Sequence, residues 1–414
     1  MKKLSEFFIR NSKFDILLVT AAASITNFLY FALTLPDYLF PDSLTYLVPA
    51  RNLLHGLGFV DMAGAAETLR TPGYPLLLAA FGARVVPVIV AQHLMNVAIA
   101  AGIYLVAAPR LGRFVAVTAA LLFAIDTPAI HYANKILSET FFTLVLLIVC
   151  WQLAVGSWRS AGFLTGVLVL IRPVAIVYFV VVAAYLLLRR VRARDVVVYA
   201  LLAVALPLGW ALRNRVRTGV FTVSSISGTN LLLFRAGGTL AILDHGDDFD
   251  ADRQDEAGGL LADADAEIER TLHIDDADEL PHAVRARYYS RFAARVIRQH
   301  PVAFAELTLR GLLVNLLDSR WEAMNIVTPL HESIVHVALD AYTAALLVFA
   351  LIGAFALRRD DLGLLAILTV AYFVVISAGG ESESRFRVPV MPQYAIAAAA
   401  GLDVVRRGAA RPPR

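Results

Sequence analysis

Apolar residues fall into long runs along the chain, and short polar or arginine-bearing breaks separate these runs. Most runs have about 16 to 24 residues, the length of a helix that crosses the roughly 30 Å hydrocarbon core of a bilayer, and the runs near 113, 160 and 173 are short for a straight crossing. The pattern predicts an all-α polytopic membrane protein with about 10–11 transmembrane helices. The runs cover roughly 14–35, 84–107, 113–125, 139–155, 160–171, 173–188, 195–212, 335–357, 361–378 and 389–405.

Composition supports a membrane protein. Of the 414 residues, 58% are hydrophobic and 17% are charged. A soluble domain has about 45–50% apolar and about 25% charged residues, so the composition excludes a soluble enzyme and a disordered chain. The single cysteine, Cys150, excludes a disulfide scaffold. The first run is too long for a signal-peptide core and no small-residue cleavage site follows it, so we expect a retained first membrane helix.

The short basic segments predict the orientation of the chain. With ten spans they all fall on one side of the membrane, which the positive-inside rule makes cytoplasmic. We therefore expect a multi-pass protein of a prokaryotic plasma membrane with both termini in the cytoplasm. The basic segments are 2–13, 110–113, 159, 189–194, 358–359 and 406–414. The predicted extracytoplasmic segments are 36–83, 126–138, 213–334 and 379–388.

Three regions follow from this topology. Residues 1–212 form a membrane module whose first outer loop is 36–83, residues 213–334 form an extracytoplasmic region, and residues 335–414 hold the last membrane helices and a basic tail. Within the middle region, segment 244–279 has fifteen acidic residues and two arginines, which predicts a solvated, partly mobile loop. Residues 301–318 are apolar with Glu306 and Arg310 on one helical face, which predicts a juxtamembrane helix in the interface.

Asp42 lies where the first outer loop begins a predicted amphipathic helix. Tyr46, Leu47, Ala50 and Leu53 follow it at helical spacing. Aspartate is a favoured N-cap, so capping is one explanation of Asp42 and chemistry is the other. The Pro-Gly-Tyr-Pro stretch that ends the loop stiffens the entry into the second span.

Short motifs recur in a fixed order along the chain. The first outer loop contains A-x-x-L-L-x-G-x-G-F after Asp42 and Tyr46, and then R-x-P-G-Y-P from Arg70. The later motifs are Ser138-Glu139, Arg172-Pro173, Arg213-Asn214, His300-Pro301 and E-x-R-F-R-x-P at 383–389. Taken together, they resemble the GT-C membrane glycosyltransferases, in particular the protein O-mannosyltransferase and aminoarabinose transferase-like branches.

The resemblance implies a GT-C-like bundle that transfers a sugar on the extracytoplasmic face. The implied donor is a polyprenyl-phosphate-linked sugar and the implied acceptor is a lipid, glycan or protein, with membrane lipids as further partners and no nucleic acid. By this likeness Asp42 is the general base of an inverting displacement. Ser43 stands where many relatives have a second acidic residue, so Glu139 is the next candidate acid. Pairing with Lys135, one turn earlier, is the alternative explanation of Glu139.

A donor phosphate calls for arginine, because guanidinium groups form bidentate bonds to phosphate. Five arginines fall at the predicted outer membrane edge: Arg70, Arg172, Arg213, Arg385 and Arg387. Arg385 and Arg387, together with Glu383, are the favoured phosphate and substrate contacts, and Arg70 comes next. For each arginine, snorkelling to lipid headgroups is the alternative. Tyr46 and Tyr74 either stack on a sugar or belong to the interfacial aromatic belt.

The sequence also bears on cofactors and on rival functions. The motifs require no cofactor and predict no metal ligands, and a divalent cation stays open as an alternative. One rival function is a transporter or flippase of lipid-linked sugars, which needs charged or broken helices at mid-membrane depth. Another rival is a non-catalytic scaffold that keeps the fold without the Asp42 and arginine placement.

Overall fold

The computed structural model describes residues 2–34, 36–245, 249–319 and 332–409. Over these ranges the chain is mostly helical and has no β-strand, and an isolated bridge joins Val60 and Ala66. The helices are α1 (Lys2–Leu33), α2 (Ser43–Leu54), α3 (Gly73–Ala80), α4 (Val85–Ala124), α5 (Thr127–Ala133), α6 (Glu139–Ala154), α7 (Trp158–Ile171), α8 (Tyr178–Leu188), α9 (Ala193–Thr218), α10 (Ile226–Asn230), α11 (Gly237–His245), α12 (Phe249–Leu272), α13 (His282–Gln299), α14 (Pro301–Leu317), α15 (Glu332–Leu357), α16 (Asp361–Ile376) and α17 (Met391–Ala409).

Every predicted membrane run is helical, which confirms the all-α polytopic fold class. Among the described residues, six helical segments are long and apolar enough to cross a membrane, and four apolar helices are shorter. The long segments are Ser12–Leu33, Val85–Ala124, Ala193–Thr218, Ile226–Asp244, Ile334–Leu357 and Ser384–Ala409. Segment Ile226–Asp244 was not among the predicted runs, and it consists of α10, a π-helical turn at Leu231–Ala236 and α11.

Two backbone features separate neighbouring spans. The second and third predicted runs form the single helix α4, which is interrupted at Gly112 with φ 84° and ψ 169°. A positive φ of this kind is accessible to glycine without steric cost, so Gly112 ends one span and starts the next. The Arg172-Pro173 motif forms a turn, in which Arg172 is extended (φ −140°, ψ 120°) before a short 3-10 turn at Pro173–Val177, because proline disfavours helix at the residue before it.

The loops between helices gather at two opposite ends of the bundle. At one end, Ile136 N–H donates to the Tyr38 carbonyl at 2.8 Å, and Ser225 N–H donates to the Thr68 carbonyl at 2.8 Å. These contacts join three of the predicted outer segments. We call this end the Asp42 end.

Basic short loops meet at the other end. Arg113 forms an ion pair with Asp15 at 2.7 Å, Arg189 pairs with Asp361, and the Arg406 guanidinium lies 4.0 Å from the centroid of the Phe114 ring. The predicted extracytoplasmic segments and the short basic loops therefore lie at different ends of the bundle, as the predicted ten-span topology requires. Which end faces the cytoplasm stays a prediction.

Glycines allow α15 and α17 to pack with their backbones in contact. A Cβ atom on Gly401 would lie 2.0 Å from the Phe349 carbonyl oxygen, well inside any real contact. Gly408, on the same helix α17, has nothing within 4 Å of its Cβ position. The close crossing therefore depends on Gly401 and not on Gly408.

We expect Gly401→Ala to destabilise the protein by about 1–3 kcal/mol, since overpacking forces the two helices apart. Gly408→Ala is the matched control and should leave stability within about 0.5 kcal/mol of the wild type. Thermal unfolding in detergent measures both. Equal melting temperatures for the two variants would show that α15 and α17 do not cross at Gly401.

The acidic segment differs from the prediction. Most of it is the helix α12 and not a loop, because Leu260, Ala264 and Ile268 recur one turn apart and bury against Leu232 and Ala236. The expected solvated loop is therefore wrong for Phe249–Leu272. Asp248 and the side chains of Asp250 and Asp252, which also belong to the acidic segment, lie outside the described residues.

The predicted helix after His300-Pro301 is confirmed as α14. Its Arg310 donates to Glu306 at 2.7 Å, the spacing of four residues expected on one helical face. Its position relative to the lipid surface and the division of the chain into three regions stay predictions.

Candidate functional site

Asp42 directly precedes α2 at the Asp42 end, but its side chain does not cap that helix. No side-chain cap bond is formed, and the carboxylate instead accepts from two arginines. Oδ1 lies 2.7 Å from Arg70 Nη2, and Oδ2 lies 2.9 Å from Arg385 Nη1. The Asp42 side chain is 32% exposed. The capping explanation is therefore excluded, and the carboxylate is available for chemistry.

Arg70 is held on three sides. Its Nε donates to Thr45 Oγ1 at 2.8 Å and its Nη1 to the Tyr46 hydroxyl at 3.2 Å, which leaves Nη2 for Asp42. Its guanidinium also lies 4.5 Å from the centroid of the Tyr46 ring. Thr45 and Tyr46 sit in the first turn of α2, so the predicted amphipathic helix positions the arginine that faces Asp42.

Glu139 is the second carboxylate of the site and is completely buried. Its Oε1 accepts from Arg172 Nη1 at 2.5 Å and from Arg385 Nε. Its Oε2 has no hydrogen-bond partner. The alternative pairing of Glu139 with Lys135 is wrong, because Lys135 Nζ lies 2.7 Å from Asp37 Oδ2.

Arg385 connects the two carboxylates. It bonds Asp42 through Nη1 and Glu139 through Nε, and its guanidinium lies 5.0 Å from the centroid of the Phe40 ring. The connected set has three arginines and two acids, so it carries one net positive charge. We call it the carboxylate–arginine chain, and its members are Asp42, Arg70, Glu139, Arg172 and Arg385.

The arginines determine the protonation state of Asp42. Burial alone would raise the pKa of this carboxyl group, but the charges and hydrogen bonds of Arg70 and Arg385 hold it below its ordinary value of 3.8. Asp42 is therefore ionised at neutral pH. Tyr46 and Asp42 in turn raise the pKa of Arg70, against the effect of its burial.

Two cavities meet at Asp42, Arg70 and Arg385. The larger, of about 940 Å³, extends along α14 past Leu307, Gly311 and Val314. The smaller, of about 550 Å³, extends past Arg172. Its apolar wall consists of Val174, Ile176, Val177, Tyr372, Phe373 and Ile376. A charged floor with an apolar wall suits a ligand that has both a phosphate and a hydrocarbon part.

Other candidates lie at or near these cavities. Glu383 lines the larger cavity, and its backbone N–H donates to Asn315 Oδ1 at 3.2 Å. Tyr46 lines the smaller cavity, but Arg70 covers its ring. Sugar stacking on that face of Tyr46 is therefore blocked while Arg70 holds Asp42.

Three predicted residues are not brought to Asp42. Arg213 donates to the carbonyl groups of Glu67 at 2.8 Å and Phe59 at 2.7 Å, so it braces the first outer loop. Arg387 is 1% exposed and donates to the Leu316 carbonyl at 2.8 Å. Neither lines a cavity that contains Asp42.

Tyr74 is likewise away from both cavities. It is completely buried, and its hydroxyl donates to Gln92 Oε1 at 2.7 Å. A ring in this position reaches neither a sugar nor the lipid interface. We therefore leave Arg213, Arg387 and Tyr74 out of the proposed site.

One ion pair of the site was missed by the sequence reasoning. Arg235 Nη2 lies 3.1 Å from Glu381 Oε1, both residues line the smaller cavity, and Glu381 Oε2 is buried without a hydrogen-bond partner. The available signal was a lone arginine within the apolar stretch that precedes α11. Its partner is 146 residues away in sequence, which no spacing rule predicts.

The donor set of the site fits a divalent cation poorly. Each oxygen of Asp42 faces a guanidinium group, and Ser43 holds the Phe40 N–H at 2.8 Å and the Ile136 carbonyl at 3.0 Å where a second acid would be needed. Among the described residues, no three His, Cys, Asp or Glu side chains group closely enough to hold a metal ion. The positive charge of the site favours an anionic ligand.

Fold and site together define a multi-pass helical membrane protein with a charged site at one end of its bundle. No protein-family model matches the sequence, and no curated protein matches it. Solved structures do match. The archaeal oligosaccharyltransferase AglB from Archaeoglobus fulgidus, in complex with an inhibitory peptide and a dolichol-phosphate, has a TM-score of 0.53 at 11% identity over 96% of this chain and 51% of its own.

Two further solved structures align with nearly the whole of this chain. The A. fulgidus oligosaccharyltransferase tethered to an acceptor peptide has a TM-score of 0.51 at 13% identity, over 95% of this chain and 50% of its own. ArnT from Cupriavidus metallidurans bound to undecaprenyl phosphate aligns at 16% identity over 95% of this chain and 78% of its own, but its TM-score of 0.38 is too low to establish a common fold.

The similarity to the oligosaccharyltransferase, a GT-C superfamily glycosyltransferase, confirms the predicted GT-C-like fold. The chain spans about half the length of the oligosaccharyltransferase chains that it matches.

Proposed function

We propose that this chain is a membrane glycosyltransferase that moves a sugar from a polyprenyl-phosphate-linked donor to a lipid, glycan or protein acceptor on the extracytoplasmic face. The observation that carries the proposal is the ionised Asp42 carboxylate, held between Arg70 and Arg385 where two cavities meet. The oligosaccharyltransferase of the same fold binds a dolichol-phosphate, which supports a polyprenyl-phosphate donor.

The proposed reaction is a single inverting displacement. Asp42 takes the proton of the acceptor hydroxyl, and the oxygen attacks the anomeric carbon as the bond from that carbon to the phosphate oxygen breaks. Polyprenyl phosphate leaves with the bonding electrons, and the arginines stabilise its new negative charge. General-base assistance of this kind contributes about 10²–10⁴-fold in rate.

The donor phosphate and Asp42 share the same guanidinium groups. Thr45, Tyr46 and Asp42 accept from three of the five N–H groups of Arg70, so a phosphate that binds Arg70 shares its guanidinium group with Asp42. Arg385 keeps its bond to Glu139 when its Nη1 turns from Asp42 to a phosphate. Donor binding then removes positive charge from Asp42 and raises its pKa, which makes it a stronger base.

The positions of the charged groups favour transfer over transport. Asp42 precedes α2, Glu139 is the first residue of α6, and Arg172 follows α7. These residues therefore lie at helix ends, whereas a transporter needs polar groups or broken helices near mid-membrane depth. The intact carboxylate–arginine chain likewise disfavours a non-catalytic scaffold.

Proteoliposomes loaded with a panel of radiolabelled polyprenyl-phosphate sugars test the proposal. We expect the sugar label of one donor to appear in a new glycoside. The transfer should be the same when a chelator removes divalent cations. Movement of intact labelled donor between the leaflets, with no glycoside formed, would instead establish a flippase.

The proposed role of Arg172 in phosphate binding gives a further prediction. Arg172→Gln should weaken the binding of polyprenyl phosphate by about tenfold, since it removes one charge-assisted phosphate contact. Arg213→Gln is the matched control and should leave that affinity unchanged, because carbonyl groups engage Arg213. Binding to the purified protein in nanodiscs measures both, and the reverse order of the two effects would contradict the assignment.

A further inference from the structure

Arg385 lies in a short 3-10 turn, Ser384–Phe386, that comes before α17 in the chain. The Arg387 N–H donates to the Ser384 carbonyl at 3.0 Å within this turn. Turns of this kind have few internal hydrogen bonds, and the geometry of these bonds is poorer than in an α-helix. The direction of the Arg385 side chain therefore depends on the contacts that hold the turn to the rest of the protein.

The end of α14 accepts three hydrogen bonds from this segment, on both sides of Arg385. They are Glu383 N–H to Asn315 Oδ1 at 3.2 Å, Ser384 N–H to Asp318 Oδ2 at 2.8 Å, and Arg387 Nη1 to the Leu316 carbonyl at 2.8 Å. We call these three bonds the α14 clamp. Gly311, one turn before Asn315, allows α14 to come this close, because a Cβ atom there would overlap the backbone of Gly379.

Arg387 supplies the only side-chain donor of the α14 clamp, since the other two donors are backbone N–H groups. It is 1% exposed. A 3-10 turn has three residues per revolution, so side chains two residues apart point in different directions. While Arg387 is held at Leu316, Arg385 faces the site, where its Nη1 lies 2.9 Å from Asp42 Oδ2 and its Nε donates to Glu139.

Stability alone explains Arg387 poorly. Its Nε and Nη2 are buried without a hydrogen-bond partner. Unpaired buried groups of this kind cost free energy, and an apolar side chain of similar size in place of a buried charge is often neutral or stabilising. The direction that Arg387 gives to the turn is therefore the better explanation of this residue.

The positive charge of Arg387 acts on Asp126, at the start of α5. Asp126 is 1% exposed, and its Oδ2 accepts from the Ala129 N–H at 3.0 Å, while its Oδ1 is buried without a hydrogen-bond partner. Burial raises the pKa of Asp126, and the charge of Arg387 opposes that effect. Because α5 also packs against the turn Ser384–Phe386, the attraction draws Arg387 toward a helix that supports the turn.

We infer that Arg387 is a positioning residue of the transfer reaction: its bond to the Leu316 carbonyl holds the turn so that Arg385 points to Asp42 and Glu139. This inference rests on the proposed function for the reaction itself, in which Arg385 binds the donor phosphate. Arg387 lines neither of the cavities that contain Asp42, so it acts on the ligand through Arg385.

Arg387→Met tests the inference, because methionine fills the space but cannot donate to the Leu316 carbonyl. The full chain is placed in nanodiscs and the probe is polyprenyl phosphate. We expect about tenfold weaker binding, since Arg385 is no longer directed to the site, and a melting temperature within about 4 °C of the wild type. Unchanged affinity in this variant would overturn the inference.

Arg213→Met is the matched control, because Arg213 also donates to backbone carbonyl groups but has no bond to the turn. It should leave the affinity for polyprenyl phosphate unchanged, whatever its effect on melting. An equal loss of affinity in the two variants would show a general effect of removing a buried arginine and would contradict the inference.

A double-mutant cycle separates positioning from a general loss of structure. In the Arg385→Gln background, Arg387→Met should cause no further loss of affinity, because the residue that it directs is already absent. Asn315→Leu removes another bond of the α14 clamp, gives an independent test if Arg387→Met does not fold, and should show the same dependence on Arg385. Equal losses in both backgrounds would overturn the inference.

Arg387→Lys should rescue the affinity, because an ammonium group keeps the charge and a donor for the Leu316 carbonyl. We expect binding within about threefold of the wild type. A lysine variant as impaired as Arg387→Met would show that the bond to Leu316 is not what directs Arg385.

A transfer assay then relates the inference to the reaction. Arg387→Met should lower kcat by about tenfold and leave KM for the acceptor unchanged, because Arg385 stabilises the leaving phosphate and Arg387 is remote from both cavities. A rise in KM for the acceptor with unchanged kcat would contradict the inference. Absence of transfer in the wild type would instead refute the proposed function, and the binding cycle would still decide whether Arg387 directs Arg385.

Discussion

Asp42→Asn is expected to lower kcat by about 10²–10⁴-fold, because the amide cannot accept the proton of the acceptor hydroxyl. The same variant should bind polyprenyl phosphate more tightly, by about tenfold, since the carboxylate no longer competes with phosphate for Arg70 and Arg385. The measurements are single-turnover transfer and equilibrium binding in nanodiscs. Loss of rate together with a gain in affinity is a combination that general misfolding does not produce.

Asp37→Asn is the matched control for this variant. Asp37 belongs to the same outer segment and pairs with Lys135, but it has no contact with the carboxylate–arginine chain. Its substitution should change neither kcat nor the affinity for polyprenyl phosphate. Near-normal turnover in Asp42→Asn would refute the assignment of the base, and weaker phosphate binding would refute the competition.

Arg385→Gln is expected to have the second large effect, because Arg385 alone bonds both Asp42 and Glu139. Its loss leaves Glu139 buried with a single arginine, and breaking a buried ion pair costs about 3–5 kcal/mol of stability. Polyprenyl phosphate should bind about 10–100-fold more weakly, as expected for the loss of hydrogen bonds to a charged group. Thermal unfolding and nanodisc binding measure the two effects.

Arg385→Lys separates charge from geometry, since an ammonium group keeps the charge but cannot hold two carboxylates through a planar fork. Compared with Arg385→Gln, Arg385→Lys should restore most of the thermal stability but only part of the affinity for polyprenyl phosphate. In the Arg385→Gln background, Asp42→Asn should strengthen phosphate binding less than it does in the wild type. An identical gain in both backgrounds would show that Asp42 repels phosphate without competing for Arg385.

The sequence predicted the membrane helices well, but it did not predict the π-helical turn or the helix α12. Long apolar runs must be helical in a bilayer, because their backbone hydrogen bonds have to be satisfied internally. The π-helical turn at Leu231–Ala236 produces no such pattern. Helix α12 was hidden because the acidic residues of segment 244–279 masked its apolar positions 260, 264 and 268.

The sequence predicted which residues form the site, but it did not predict the contacts between them. The motifs identified Asp42, Arg70, Glu139, Arg172 and Arg385, and the structure brings them together. Arg213 and Arg387 were grouped with them because the sequence places a residue at the membrane edge without showing where its side chain points. Arg235 was missed, because its contact with Glu381 depends on how segments far apart in sequence pack against each other.

One measurement tests the central claim most directly. Wild-type protein and Asp42→Asn are incubated with a polyprenyl-phosphate sugar that carries ¹⁴C in the sugar and ³²P in the phosphate. The account predicts that the wild type separates the two labels, with ¹⁴C in the acceptor and ³²P in polyprenyl phosphate, and that Asp42→Asn does not. Labels that stay together in the wild type, or that separate equally in both proteins, would contradict it.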